Sequence, residues 1–385
     1  VYIMYRNTLK SSLLTHVSNI PGWRTKRKIV VIESDDWGSI RMPSLKVFET
    51  LKKGGVVVGR SHYDLYDSLE CNQDLECLFN VLSKFRDKNG RNPVMTGVNI
   101  VANPLFDEIK QGNFANYLYE PYTETLKRYP QHDRVYELWK EGIKKRLFVP
   151  IFHGREHLNV QRWLRELQKG NRSVLFAFEN HLTGIGKGIN GEKIPDLQAA
   201  FDIDTMDDLA YMREVLSTGL DLFEQLYGYR STYFVPTNGP FNNSLETILW
   251  NNGVKYVNSG KIQMEPLGNG QFKKNVRFLG QKNALGQIYL TRNCFFEPSS
   301  SGFEFPTNTD WVNNCLKEIE IAFRWHKPAT ISSHRVNYIG FLHPKNRERS
   351  LKQLEELLGK MLKRWPDIEF MTSMELGDLI TKNYK

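Results

Sequence analysis

The sequence predicts an α/β fold in which parallel strands, each followed by a helix, roll into a barrel. Three observations carry this. Short runs of β-branched and other apolar residues alternate with amphipathic stretches at the spacing of βαβ units. At least seven strand-then-helix units can be counted, and no Pro-, Gly- or Ser-rich linker divides the 385 residues. A single α/β barrel routinely takes about 250 residues or more, so 1–385 is expected to be one domain with a core over about 28–380 and inserted loops. A doubly wound open sheet is the competing architecture. No GxGxxG or GxxxxGK[ST] follows the first strand, so dinucleotide and P-loop functions lose their main support.

The elements follow in order. Lys-Ile-Val-Val-Ile-Glu-Ser at 28–34 is a short buried strand that runs straight into Asp35-Asp36-Trp37-Gly38-Ser39. Residues 43–53 pattern as a helix stopped by Gly54-Gly55, and 75–88 as an amphipathic helix ending at Asn89-Gly90. A β-rich run at 93–101 closes on Asn103-Pro104. Helix 133–145 leads into strand 147–152, which ends on His153-Gly154-Arg155-Glu156-His157. A helix over 161–169 and a strand over 174–178 come next, then a Gly-rich loop or hairpin at 184–191. The long helix 204–227 stops at Gly228, and strand 232–235 runs into Pro236-Thr237-Asn238-Gly239-Pro240. Helix 244–252, strands 255–257 and 288–291, helix 311–325 and strand 329–333 continue the alternation, and helix 351–364 with strand 368–371 ends it.

Composition excludes several classes. With 40% hydrophobic and 25% charged residues, the chain lacks the bias that disorder, collagen or coiled coil requires. No run of about 18 uncharged apolar residues exists, so no membrane span is expected. The net charge of +9 permits an anionic partner. The basic runs, such as Lys144-Lys145-Arg146, are short and carry no recognition motif, so they read as solvated surface, with no nucleic-acid partner. Cys71, Cys77, Cys294 and Cys315 form no CxxC pair. Free thiols in a reducing, cytoplasmic compartment are expected. Nothing in the pattern fixes an oligomeric state.

Three groups of residues stand where chemistry is done. Asp35 and Asp36 sit at the end of the first strong strand, where one carboxylate can bind a cation and its neighbour handle a proton; an Asx turn or a helix N-cap uses the same residue type. His153 and His157 follow a strand with i, i+4 spacing; on the first turn of a helix they would share one face and grip one metal. Two unrelated surface or capping histidines would leave the same pattern. His334 ends the apolar run Ala329-Thr-Ile-Ser-Ser and is placed for proton transfer near neutral pH, or caps a polar loop.

Taken together, Asp35-Asp36, His153-x-x-x-His157, the 229–238 segment and His334, in that order, resemble the polysaccharide deacetylase family. The terminal Trp365-Pro-Asp-Ile-Glu-Phe-Met-Thr-Ser-Met-Glu-Leu376 resembles that family's last strand and helix, so the likeness runs from 30 to 379. It implies a NodB-like fold, a distorted barrel of seven strands. It also implies that Asp35 is the catalytic base, that Asp36, His153 and His157 hold a divalent metal, zinc foremost, and that His334 is the general acid. The family's Thr-Phe-Asp-Asp-Gly is here Glu33-Ser34-Asp35-Asp36-Trp37-Gly38, its Arg-Pro-Pro-Tyr is Arg230-Ser231-Thr232-Tyr233-Phe234-Val235-Pro236, and its late Leu-His-Asp is Ser333-His334-Arg335. Arg292 and Glu297, which follow a strand, are candidates for the supporting roles those departures leave open. They also join Trp37, Tyr233 and Asn238 as expected substrate-binding residues, since rings and amides suit a sugar. Arg335, a cation beside His334, is expected to lower the imidazole's pKa unless it points into solvent or Asp310 compensates.

The function implied is metal-dependent hydrolysis of an N-acetyl (or O-acetyl) group on a sugar of a surface polysaccharide or its precursor. The partner is then an acetylated sugar or oligosaccharide. A glycosidase on a related barrel is one rival; it needs two carboxylates about 5–9.5 Å apart and leaves the spaced histidines without a role. A non-catalytic carbohydrate-binding protein is the other.

Overall fold

A computed structural model of the protein describes residues 9–301 and 309–383. Nine strands form one sheet: β1 (Ile29–Trp37), β2 (Met95–Ile100), β3 (Phe148–Gly154), β4 (Tyr233–Phe234), β5 (Tyr256–Asn258), β6 (Ile288–Leu290), β7 (Cys294–Phe295), β8 (Ala329–His334) and β9 (Glu369–Phe370). The hydrogen-bonded order is β6-β5-β4-β3-β2-β1-β8-β7, and β9 pairs with the first residues of β1. Every pairing in it is parallel.

This order dictates the shape. β6 and β7 are the two ends of the path, yet only residues 291–293 separate them in the chain. Seven inter-strand steps of about 4.8 Å would hold the edges of a flat sheet about 34 Å apart. Four Cα steps reach at most about 15 Å. The sheet is therefore curled into a nearly closed barrel whose seam is crossed by Thr291-Arg292-Asn293. This is the expected distorted α/β barrel, with two very short strands beyond the seven.

All nine residues of β1 are buried, as expected of a parallel strand covered on both faces. Its side chains still alternate between two apolar clusters. Val30 and Ile32 join Met95 and Phe148 in an outer core under the helices Asn72–Ser83, Val135–Lys144, Trp311–Arg324 and Pro344–Arg364. Ile29 and Val31 join Val98, Ile151, Tyr233 and Leu290 inside the barrel. Glu33 and Asp35 follow the inward set. Residues 172–179 (Arg172–Glu179) are a helix where a strand over 174–178 was expected. The Asn171 side chain caps the amides of Ser173 and Val174, and Val174, Ala177 and Phe178 are buried on one helical face, a pattern that so short an apolar run cannot distinguish from a strand. An antiparallel hairpin, Ile262–Gly268 with Gln271–Val276, lies outside the sheet. Among the described residues no helix is long and apolar enough to cross a membrane.

Candidate active site at the barrel mouth

The motif residues converge at the carboxyl ends of the strands, where α/β barrels build their sites. Asp35 lies directly across from His334 in the β1–β8 pairing. Alternation alone would send Asp36 to the opposite face from Asp35. It does not, because the β1–β2 register shifts between Ser34 and Trp37 and Asp36 takes φ +79°. A bulge with a left-handed residue re-aims a side chain in this way, at a cost of about 1–3 kcal/mol that Asp, among non-glycine residues, tolerates well.

Asp36, His153 and His157 offer ligand atoms that all lie within 4.8 Å of one another, and all three residues are buried. Asp36 Oδ1 is 3.0 Å from His157 Nε2 and 3.6 Å from His153 Nε2. The two histidines do not share a helix: His153 is in β3 and His157 in the loop beyond it, brought back by Gly154 at φ +132°. His153 Nδ1 donates to the Val235 carbonyl at 2.7 Å, which leaves Nε2 with its lone pair exposed to the cluster. That Nε2 is buried and, among the described residues, has no hydrogen-bond partner. An orphaned imidazole nitrogen facing a carboxylate fits a divalent cation. Burial first, and Arg41 second, push His157 down to about 4, so the imidazole is neutral, the form that ligates. Burial pushes the Asp36 carboxyl up, but the Arg41 charge and the contact from His157 Nε2 outweigh it and hold it well below the usual carboxylate range.

Asp35 stands in a different setting. Arg292, from the seam, grips it with Nη1 and Nη2, each 2.6 Å from a carboxylate oxygen. Its Nε donates to Glu33, and Glu33 also accepts from Tyr233 Oη at 3.0 Å and from Ser373 Oγ. Burial raises the Asp35 carboxyl, yet the Arg292 charge and hydrogen bonds bring it below its ordinary value. Arg230, by contrast, is spent on Asp221, Glu224 and Asn252.

His334 Nε2 is 3.9 Å from Asp35 Oδ2, and its Nδ1 is 2.5 Å from Glu297 Oε1. Burial alone would lower its pKa, but Glu297, then Asp35 and Asp36, raise it to about 9. The expected lowering by Arg335 is not found. Arg335 is fully buried and turned away onto Asp67 (3.0 Å), Glu70 (2.9 Å) and the Ser39 carbonyl (2.8 Å), which neutralise it. Asp310 instead caps helix Trp311–Arg324. Arg41 links this ion network to the cluster, 3.3 Å from Asp36 and 3.2 Å from Asp67.

The residues expected to bind substrate lie as follows. Trp37 is fully buried, edge-on to Phe148 at 5.1 Å, with Nε1 on Ser34 Oγ, so no ring face is open to a sugar. Tyr233 is equally buried and braces Glu33. Arg292 and Glu297 hold Asp35 and His334 rather than open surface. Asn238 is exposed and donates at 3.2 Å to Asp196, which lines a cleft of about 370 Å³ together with Arg41 and Tyr63. The sequence reading missed Glu33, Arg41 and Tyr63; the Glu33–Ser34–Asp35 departure was the only signal for the first.

No protein-family model matches the sequence, and no curated protein matches it. Among solved structures, a probable polysaccharide deacetylase from Pseudomonas aeruginosa PAO1 aligns with 92% of this chain and 91% of its own, at 10% identity and a TM-score of 0.45. Puue allantoinase aligns with 92% of this chain and 91% of its own, at 11% identity and a TM-score of 0.44. A 4-alpha-glucanotransferase from Thermococcus litoralis aligns with 91% of this chain but 40% of its own, at 11% identity and a TM-score of 0.42. The chemistry of the site stands on its own geometry. With its Asp-Asp, His-x-x-x-His and late His in order around the mouth of a parallel barrel, and Arg292 and Glu297 as their supports, the chain resembles the polysaccharide deacetylase family.

Proposed function

We propose that the chain is a metal-dependent deacetylase that hydrolyses the N-acetyl group of a sugar in a polysaccharide or its precursor. The observation that supports this best is the division of labour between the two adjacent aspartates. Asp36 faces the imidazoles of His153 and His157, the second of them neutral, and Asp35 faces that of His334, which is protonated. Asp36, His153 and His157 would hold the metal; one carboxylate and two imidazoles leave positions open and suit zinc first among divalent ions. When bound, the metal lowers the pKa of water and polarises the acetyl carbonyl. Asp35 accepts the water proton, oriented for this by both Arg292 nitrogens. His334, held through Nδ1 by Glu297, donates from Nε2 to the amine as the C–N bond breaks and the acetyl carbon gains its new C–O bond. The four unbridged cysteines support the expected cytoplasmic setting.

The carboxylates nearest the site that a glycosidase would draft are already committed. Glu33 is committed to Tyr233, Ser373 and Arg292, and Glu297 to His334 and Asn337. Metal-loaded protein should release acetate from a panel of N-acetylated sugars and oligosaccharides and stop when a chelator is added. Cleavage of the glycosidic bond, or sugar binding with no acetate, overturns the reading.

The pH profile gives a second check. An acid with its pKa near 9 is charged throughout the neutral range, so activity falls as pH rises through that value. A cation on Asp36 cancels that carboxylate's share, which sets this limb lower in the loaded enzyme. Glu297→Gln removes the largest support while burial remains, and should move the limb to lower pH by roughly one unit or more. A limb that stays put assigns the proton to another group.

A further inference from the structure

The cleft beside the site has a charge that the rest of the chain does not lead one to expect. Its volume, about 370 Å³, lies within the usual range for small-ligand sites, about 300–1,000 Å³. It shares two wall residues with the catalytic groups. Arg41 lines it and lies 3.3 Å from Asp36; Tyr63 lines it and packs edge-on to His334 at 5.6 Å. Its walls include Leu182 and Ile185, and its other polar side chains include the carboxylates of Asp64 and Asp196.

The chain carries 52 basic residues against 43 acidic, and most buried or half-buried carboxylates near the site are ion-paired. Asp36, Asp67 and Glu70 share Arg41 and Arg335, and Asp202 and Asp204 share Arg162. Asp64 and Asp196 are ion-paired to no described basic side chain. Asp196 is held by the amides of Gln198 and Ala199 and by Asn238. The one basic side chain among the described lining residues, Arg41, is already committed to two carboxylates. A cleft with apolar walls and two carboxylates unpaired among the described residues, sharing Arg41 and Tyr63 with the catalytic cluster, suits a cation carried on an uncharged ring.

We infer that this cleft is a subsite for a sugar bearing a free, protonated amine, adjacent to the acetylated sugar that reacts. The inference rests on the deacetylase reading and deepens it, since the product of deacetylation is such an amine, and a partly deacetylated chain would present one next to each remaining acetyl group. The Asp64 carboxyl is pushed up by burial against weaker hydrogen bonds, a destabilisation of the anion that a bound ammonium relieves.

The test is binding of glucosamine trimer against N-acetylglucosamine trimer to metal-reconstituted protein, measured by calorimetry at low salt. The amine form should bind about tenfold tighter, the scale of two partly exposed ion pairs, and the preference should shrink as salt is added. Asp64→Asn should cut the preference and Asp64→Asn with Asp196→Asn should abolish it, each checked for an unchanged far-UV spectrum. Equal affinity for both trimers, a preference undiminished in Asp64→Asn or surviving in the double variant, or a stronger preference for an oligosaccharide carrying uronic acid, which would give the cleft to Arg41, overturns it. Acetate release from the N-acetyl trimer is scored separately. Acetate without an amine preference removes the subsite alone, whereas an amine preference without acetate removes the deacetylase reading.

Discussion

Asp35→Asn lowers turnover by about 10²-fold or more, the scale of a lost general base, and leaves the metal content of the protein close to that of the wild type. The separation of the two effects follows from where each aspartate is anchored. Asp35 is held on both oxygens by Arg292 and is not among the three residues of the ligand cluster. The amide of Asn keeps the shape but cannot accept a proton at neutral pH. It also turns one N–H group toward the guanidinium, a donor against a donor, so Arg292 shifts its weight to Glu33. The Asp36 side is supported independently by Arg41, so the metal cluster does not depend on that rearrangement. Turnover and elemental analysis on the same preparation check both halves. Loss of metal in Asp35→Asn exchanges the roles of the two aspartates, and unchanged turnover removes Asp35 from the chemistry.

Much of this arrangement was legible in the chain because the motif residues end apolar runs. Asp35, His153 and His334 each stand in the last three residues of a strand whose pattern is clear, and a parallel barrel puts such ends together by its topology. What was not legible depends on geometry that no local pattern encodes. The positive φ of Asp36 reverses its alternation, and a single strand gives no sign of it. Arg292 reaches Asp35 only because the sheet rolls until β6 and β7 meet; along the chain the two residues are 257 positions apart. Arg335 looked like a cation beside His334, but its charge is answered by Asp67 and Glu70, some 265 positions earlier. Trp37 and Tyr233 looked like sugar-stacking rings because aromatic residues near a site and aromatic residues in a core have the same sequence signature. The surface-facing features, Asn238 and the cleft at its side, depend on a loop at 184–198 that is not regular structure.

His153→Ala with His157→Ala should abolish both metal binding and acetate release, the largest loss expected for this protein. A carboxylate alone binds first-row divalent ions weakly, and the softer selectivity comes from the imidazoles. The effect has a readout besides activity. In the wild type the buried His153 Nε2 has, among the described residues, no hydrogen-bond partner, and leaving such a group unsatisfied costs about 1–3 kcal/mol. A cation that fills the cluster removes this cost and binds only the folded chain, so zinc at about 100 times its Kd should add about 2.7 kcal/mol of stability and raise the Tm measurably. In the double variant the imidazoles are gone, Asp36 is still answered by Arg41, and zinc should leave the Tm where it was. The two measurements must agree. A double variant that still gains stability from zinc and retains about one ion per chain places the metal elsewhere; one that loses the ion yet still releases acetate takes the metal out of the reaction.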